Sequence, residues 1–227
     1  MKRQGRKPSL RTAKYEELRQ DLLDFQEKAL EFGASAAEVI PASHVVVQER
    51  VWMKCLVPRC DEAGLSPYCP PNTPQPDFMR KVFSQYQWAV VFKRDLEPIE
   101  DYVPLSETHH KELSQLWQKA GGDFFHGKTG EIAGRLESYA QSKGYDLAMG
   151  FGIGRCRAAY CGQAPCAVLQ GNACRHPLRS RPAPEAVGID VFDLASKVGW
   201  DVYMIRRIEP NLNEIPCAMS VGIVFIY

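Results

Sequence analysis

No run of about eighteen apolar residues occurs in this 227-residue chain, so nothing in it is long enough to cross a bilayer as a helix. Net charge is equally scarce. The 28 Lys and Arg against 27 Asp and Glu leave +1, which removes the electrostatic case for nucleic acid or an anionic membrane as the main partner. The N-terminus is basic at Lys2, Arg3, Arg6, Lys7 and Arg11, but no apolar signal core or twin arginine accompanies it, and a cytoplasmic protein is expected. Internal repeats and low-complexity segments are missing. So is the C-x2-C knuckle common in zinc sites, and no cysteine falls between Cys69 and Cys156.

What remains is an ordinary globular composition, 45% hydrophobic, in a chain long enough to bury a core. Residues 1–11 read as a loose basic tail and residues 12–227 as a single domain. Tyr15, Leu18, Leu22, Phe25, Ala29 and Phe32 recur at helical spacing, with Gly33 as a stop. Residues 45–53 are β-rich and are expected to deliver Cys55 at a strand end. Thr73 is a candidate cap for a helix over residues 75–86 with Phe78, Met79, Val82 and Phe83 inward. Short apolar runs at residues 88–92 and 145–151 read as strands. Helices are expected over residues 106–119 and 131–143, and another after Asp190 closed by Gly199. Residues 202–205 are a candidate strand, and residues 218–227 a strand near the sheet centre. The pattern points to an α/β class, with α+β as the alternative: a mixed β-sheet, flanking helices and two cysteine-rich metal-binding loops meeting at one edge.

The cysteines are the distinctive feature. Four of the eight, Cys156, Cys161, Cys166 and Cys174, lie within nineteen residues as C-x4-C-x4-C-x7-C. Three more, Cys55, Cys60 and Cys69, form C-x4-C-x8-C followed by Pro70-Pro71. Core packing gives no reason for such clustering. Disulfides belong to oxidising compartments and to small chains lacking a core, and clustered cysteines in a cytosolic chain more often bind metal. Four thiolates hold a [4Fe–4S] cube, so the downstream set can ligate one fully. The upstream set supplies three, and its fourth ligand is open between Cys217, a histidine, a water, or an iron left accessible to substrate. A buried apolar role for Cys217 is the favoured alternative. Zinc is the competing metal, although the spacings sit at the loose end of its range.

Around the downstream set, Gly150, Gly152 and Gly154 would let backbone N–H groups approach the sulfurs; an irregular strand end is the plainer reading. Arg155, Arg157, Arg175, His176, Arg179 and Arg181 gather positive charge that would offset an anionic cluster or meet an acidic redox partner, unless they form an ordinary solvated loop. Gly122-Asp-Phe-Phe-His-Gly-Lys128-Thr129 matches the P-loop string, but a helix rather than a strand is expected before it, which argues against nucleotide binding. Gly150 to Gly154 fails as a dinucleotide fingerprint because a cysteine loop is expected where the helix should begin. His109, His110 and His126 lack metal-spaced partners and read as surface residues.

The residues Lys54-Cys55, Cys60, Gly64 through Cys69-Pro70-Pro71-Asn72-Thr73-Pro74, and Gly144-Tyr145 leading through glycines into Cys156, carry a resemblance to a known family. So do Cys174-Arg175-His176-Pro177, Arg181-Pro182 and Glu185 to Val191. Together they resemble the predicted metal-binding proteins of domain of unknown function 2284, from about residue 33 to residue 227. The resemblance implies cysteine-bound metal, with iron–sulfur as the expected form, in prokaryotes with anaerobic metabolism, and it implies no established reaction. The family's middle cysteines are more tightly spaced than Cys156, Cys161 and Cys166, and Cys217 lies outside its pattern. The leading expectation is a cytosolic protein with two [4Fe–4S] clusters that passes electrons to a redox partner protein. An iron–sulfur oxidoreductase or reductive activase, opening the Cys55/Cys60/Cys69 cluster to a small-molecule substrate, is the first alternative. A zinc-stabilised binding module is the second.

Overall fold

The computed structural model describes residues 15–96, 125–152, 154–162, 164–203 and 217–227. The expected basic tail, the helix over 106–119 with His109 and His110, the first residues of the Gly122–Thr129 string and the end of the 202–205 segment lie outside the described residues. Residues 202 and 203 have no regular structure.

Four strands form one sheet in the order β1-β2-β4-β3, with β1 Ala36–Pro41, β2 Trp88–Leu96, β3 Met149–Phe151 and β4 Ala218–Phe225. The strand-and-helix class is as read, but every described pairing is antiparallel, so the sheet is not mixed in strand direction. The last strand is central, flanked by β2 and β3, which explains its unbroken apolar run.

Because side chains alternate along a strand, one sheet makes two cores. Val90, Phe92, Val224 and Ile226 face helix α1 (Tyr15–Glu31) and helix α4 (Phe125–Ser142). Ala89, Val91, Ile223 and Phe225 face the opposite core, with Met79 and Phe83 from helix α3 (Pro76–Phe83) and Leu194 from helix α6 (Val191–Lys197). Phe83 stacks on Phe225 at 4.2 Å, and Phe151 meets both rings edge-on. Gly222 sits opposite Phe92 in the register, and a Cβ there would lie 2.3 Å from the Phe92 ring, so the ring occupies the space a side chain would need.

The first helix buries Leu18, Leu22, Phe25 and Ala29 as its spacing requires, and Gly33 ends it at φ 108°. Asp190 caps α6 by accepting the Asp193 backbone N–H at 3.1 Å. Five expectations need correction. Residues 45–53 are not a strand: Gln48 leads into a one-turn helix, α2 (Glu49–Met53), and Cys55 follows it, while the edge strand lies earlier, at β1. The third helix is shorter than expected and begins with Pro76 at its first turn; Phe78 points outward and is 59% exposed. Thr73 does not cap it. Its hydroxyl donates to the Ala186 carbonyl at 2.7 Å and accepts from Trp52 Nε1 at 3.1 Å. Finally, α4 starts six residues earlier than residue 131, and β3 is confined to three residues.

Candidate metal centre

The upstream cysteines lie on an irregular loop between α2 and α3. The downstream set begins where β3 ends, in helix α5 (Cys156–Cys161), and continues through a loop to residue 181. Three contacts bring these two segments together. The Ser66 hydroxyl lies in hydrogen-bonding reach of both the Cys69 and the Cys156 thiols. It accepts the Tyr68 backbone N–H at 3.2 Å, so its own proton remains for one sulfur at a time. The Arg155 backbone N–H also reaches the Cys69 sulfur. Third, Glu62 of the upstream loop, 3% exposed, accepts both Nε and Nη2 of Arg157 from α5 at 3.1 Å each. This bidentate pair, 95 residues apart in sequence, clamps one loop to the other.

Cys69 and Cys156 are the buried pair at this junction, while Cys60 is exposed and Cys55, Cys161, Cys166 and Cys174 are half-buried. Cys60 and Cys69 lie near Cys55, and Cys69, Cys166 and Cys161 lie near Cys156. Cys174 accepts the His176 backbone N–H at 3.4 Å. The eight cysteines form no disulfide, and among the described residues no three His, Cys, Asp or Glu side chains lie close enough together to hold an ion as they stand. Cys217 opens β4 and is half-buried.

The electrostatics are not those of nucleophiles. Burial, reinforced by Cys60, Glu185 and Cys69, pushes the Cys55 thiol up to about 11. Burial also pushes Cys156 up to about 12, against the opposing Ser66 hydrogen bond. Cys69 is raised by burial too, less so because Ser66 and the Arg155 amide favour its thiolate. A reactive cysteine has the opposite environment, electropositive and with a depressed pKa. Thiols of this kind become thiolates when a metal cation supplies the missing positive charge, so the donor set suits a thiophilic metal.

Arg155 adds a second fitting observation. It is the one non-glycine residue with positive φ among those described (φ 68°, ψ 38°), and its Nε is buried with no hydrogen-bond partner among the described residues. A buried donor without a partner, on the residue whose backbone N–H reaches Cys69, is suited to an anionic group.

Other expectations about this region change. The N–H of Gly150 donates to Glu137 Oε2 at 2.6 Å and that of Gly152 to the Pro182 carbonyl at 2.8 Å, so neither serves a sulfur. Both glycines sit tight against α4, which is the plainer strand-end reading. The basic cluster is also largely engaged. Arg157 is paired with Glu62, and Arg181 donates to both oxygens of Glu137 at 2.9 and 2.6 Å. Arg179 lies over the Tyr160 ring at 5.2 Å and contacts His176 Nδ1 at 3.3 Å, and Arg175 donates to the Pro165 carbonyl at 2.9 Å. A helix does begin after Gly154, contrary to expectation, but it is six residues long and follows an antiparallel strand, so no dinucleotide fold results. Gly127, Lys128 and Thr129 lie inside α4, with Thr129 wholly buried, so they form no phosphate cradle.

Reading the cysteines alone overlooked Glu62, Ser66, Tyr68 and Glu137. Their signal in the sequence was slight: polar residues inside or facing the Cys55–Cys69 loop, where Gly and Pro already forbid regular structure. Two cavities lie nearby. One of about 880 Å³ near Tyr86 and Tyr227 is lined by no cysteine neighbour, and a smaller one of about 290 Å³ has Pro67, Tyr68 and Arg181 in its wall. The smaller one adjoins the cysteine loops.

Residues 38–226 match the family described as predicted metal-binding protein (DUF2284). No curated protein matches the chain, and no solved structure does.

Proposed function

We propose, for a chain that belongs to this predicted metal-binding family, that the two cysteine loops together hold iron–sulfur and that the protein passes electrons to a redox partner. The observation that carries the reading is the sharing of Ser66 between Cys69 and Cys156. It makes Cys156 the natural fourth thiolate beside Cys55, Cys60 and Cys69, a place for which Cys217 had been the cysteine candidate. Cys161, Cys166 and Cys174 then form the second ligand set. An iron–sulfur cluster bound there supplies one-electron transfer at a potential set by hydrogen bonds to sulfur and by burial. This chain's own contribution is the Arg155 amide and the Ser66 hydroxyl, which favour thiolate at Cys69, and the Arg157–Glu62 clamp, which holds the loops in reach of each other.

Two features support the iron–sulfur choice over zinc. The spacings are loose for a zinc knuckle, and a buried orphan donor at Arg155 Nε suits an anionic, sulfide-containing group. The enzyme alternative draws on a different observation, the cavity that adjoins the loops at Tyr68.

Anaerobic purification with iron, sulfide and zinc analysis tests the metal. Brown protein with acid-labile sulfide is expected; colourless protein holding stoichiometric zinc and no sulfide ends the iron–sulfur reading. Ligand assignment is tested by Cys156→Ser against Cys217→Ser. Cys156→Ser is expected to lower iron content and alter the EPR spectrum, while Cys217→Ser leaves both unchanged. The reverse result returns the fourth place to Cys217.

A further inference from the structure

The cavity of about 290 Å³ is at the small end of ligand pockets, which run roughly 300–1,000 Å³. Met79, Phe151 and Val187 of the second core line it, and Phe78, 59% exposed, stands on its α3 side. Tyr68 is the wall it shares with the cysteine loops, because the same side chain packs on Cys156 and Ala159.

Its polar lining decides what it can hold. Thr73 already donates to Ala186 and accepts from Trp52. Glu137 and Arg181 neutralise each other through two hydrogen bonds. Arg181 also serves the Pro177 and Ser180 carbonyls, and Glu137 also accepts from Gly150. Four of the five guanidinium N–H groups are therefore used. No net charge is left to meet a charged ligand. The Tyr68 hydroxyl alone among these polar side chains makes no hydrogen bond to any described residue, and it lies near Cys156, Cys174, Arg181 and Glu137.

We propose that this cavity binds a small, uncharged, mainly apolar molecule, about the size of one substituted ring, whose single carbonyl or hydroxyl oxygen meets the Tyr68 hydroxyl beside the cysteine loops. That the bound molecule is a substrate of the metal centre rests on the iron–sulfur reading above; the binding itself does not. Volume excludes a peptide helix or strand as the occupant, and the saturated Arg181–Glu137 pair excludes a carboxylate or an amine. Tyr68 acts as the donor that orients the oxygen toward the side of Cys156 and Cys174.

The test uses the full chain and fluorine NMR, with 4-fluoroacetophenone as the uncharged probe and 4-fluorotoluene, 4-fluorobenzoate and 4-fluorobenzylammonium as comparators. The ketone is expected to bind most tightly and the two ions at least about ten-fold more weakly. Tyr68→Phe is expected to weaken the ketone about five-fold and leave the toluene unchanged, the loss of one hydrogen bond. Val82→Trp, which fills the cavity from its partly exposed side, is expected to abolish binding of both. Should that variant fail to fold, Phe78→Ala at the exposed rim is expected to weaken both neutral probes about three-fold or more. Equal or tighter binding of an ion, equal loss of ketone and toluene in Tyr68→Phe, or no effect of the rim and filling variants overturns the proposal. Metal analysis of the same samples keeps the two readings apart. Probe binding to protein without iron or sulfide sinks the iron–sulfur reading alone, and fully loaded protein without probe binding sinks the pocket alone.

Discussion

The sheet and the cysteine loops are built on different forces. In the sheet, Val90, Phe92, Ile223, Val224 and Phe225 are wholly buried, and backbone pairing satisfies the polar groups of the strands. Apolar burial of roughly 25 cal/mol per Å² is non-directional, so such a core tolerates changes that keep volume and pattern. The loops bury few large apolar side chains; Cys156 and Ala159 with Tyr68 and Tyr160 make a minor cluster. What holds them is a short set of directional contacts: Glu62 with Arg157, Glu137 with Arg181, and Ser66 with two thiols. The difference teaches that stability resides mainly in the sheet, whereas the arrangement of the loops depends on contacts that one substitution can remove.

The largest effect should come from breaking the sheet side. Phe92→Ala removes a ring that fills the space over Gly222 and is expected to cost about 3–5 kcal/mol in denaturant unfolding. Metal content per folded molecule should stay constant. A proportionate loss of metal from the folded fraction would show that the two regions are not separable.

A smaller and opposite outcome is expected for Glu62→Gln. It leaves the Arg157 guanidinium, 17% exposed, without its carboxylate, at a cost of about 2–3 kcal/mol. Here the change should appear as faster amide exchange confined to residues 55–76 and 155–161, with reduced metal uptake and an unchanged sheet. Uniform loss of protection across β2 and β4 would instead make this pair part of the global core.

The smallest effect belongs to the helix pair on the far face of the sheet. Asp24 is raised by burial, but hydrogen bonds from Lys143 and Tyr139 outweigh that and hold it below the ordinary carboxylate value. A depressed carboxylate stabilises the fold above its unfolded pKa, and that contribution is lost as pH falls through the folded value. Lys143→Met is therefore expected to cost up to about 1 kcal/mol at neutral pH, with the difference from the parent chain shrinking as pH falls below the ordinary carboxylate value of 3.8. Denaturant midpoints measured across that range check the sign. A difference that grows toward low pH would refute it.

The sequence by itself determined the helix of residues 15–31, the Asp190 cap, the central last strand and the clustering of the cysteines. Each of these rests on local geometry: a 3.6-residue or two-residue period, a side chain three residues from an amide, or a spacing of thiols. The β-branched run misled at residues 45–53, where docking against Ile189 and Gly188 favoured a bridge and a single helical turn over a strand. Only the tertiary structure decided which cysteines meet. Cys69 and Cys156 are 87 positions apart, and no periodicity relates them. Their meeting follows from α5 leaving β3 against the upstream loop, where Arg157 finds Glu62. The same docking occupied the amides of Gly150 and Gly152, neutralised Arg157 and Arg181, and shaped a half-open pocket beside Tyr68. Contacts between irregular loops depend on where the sheet and helices carry them, and that placement is a property of the whole packed chain rather than of any stretch of it.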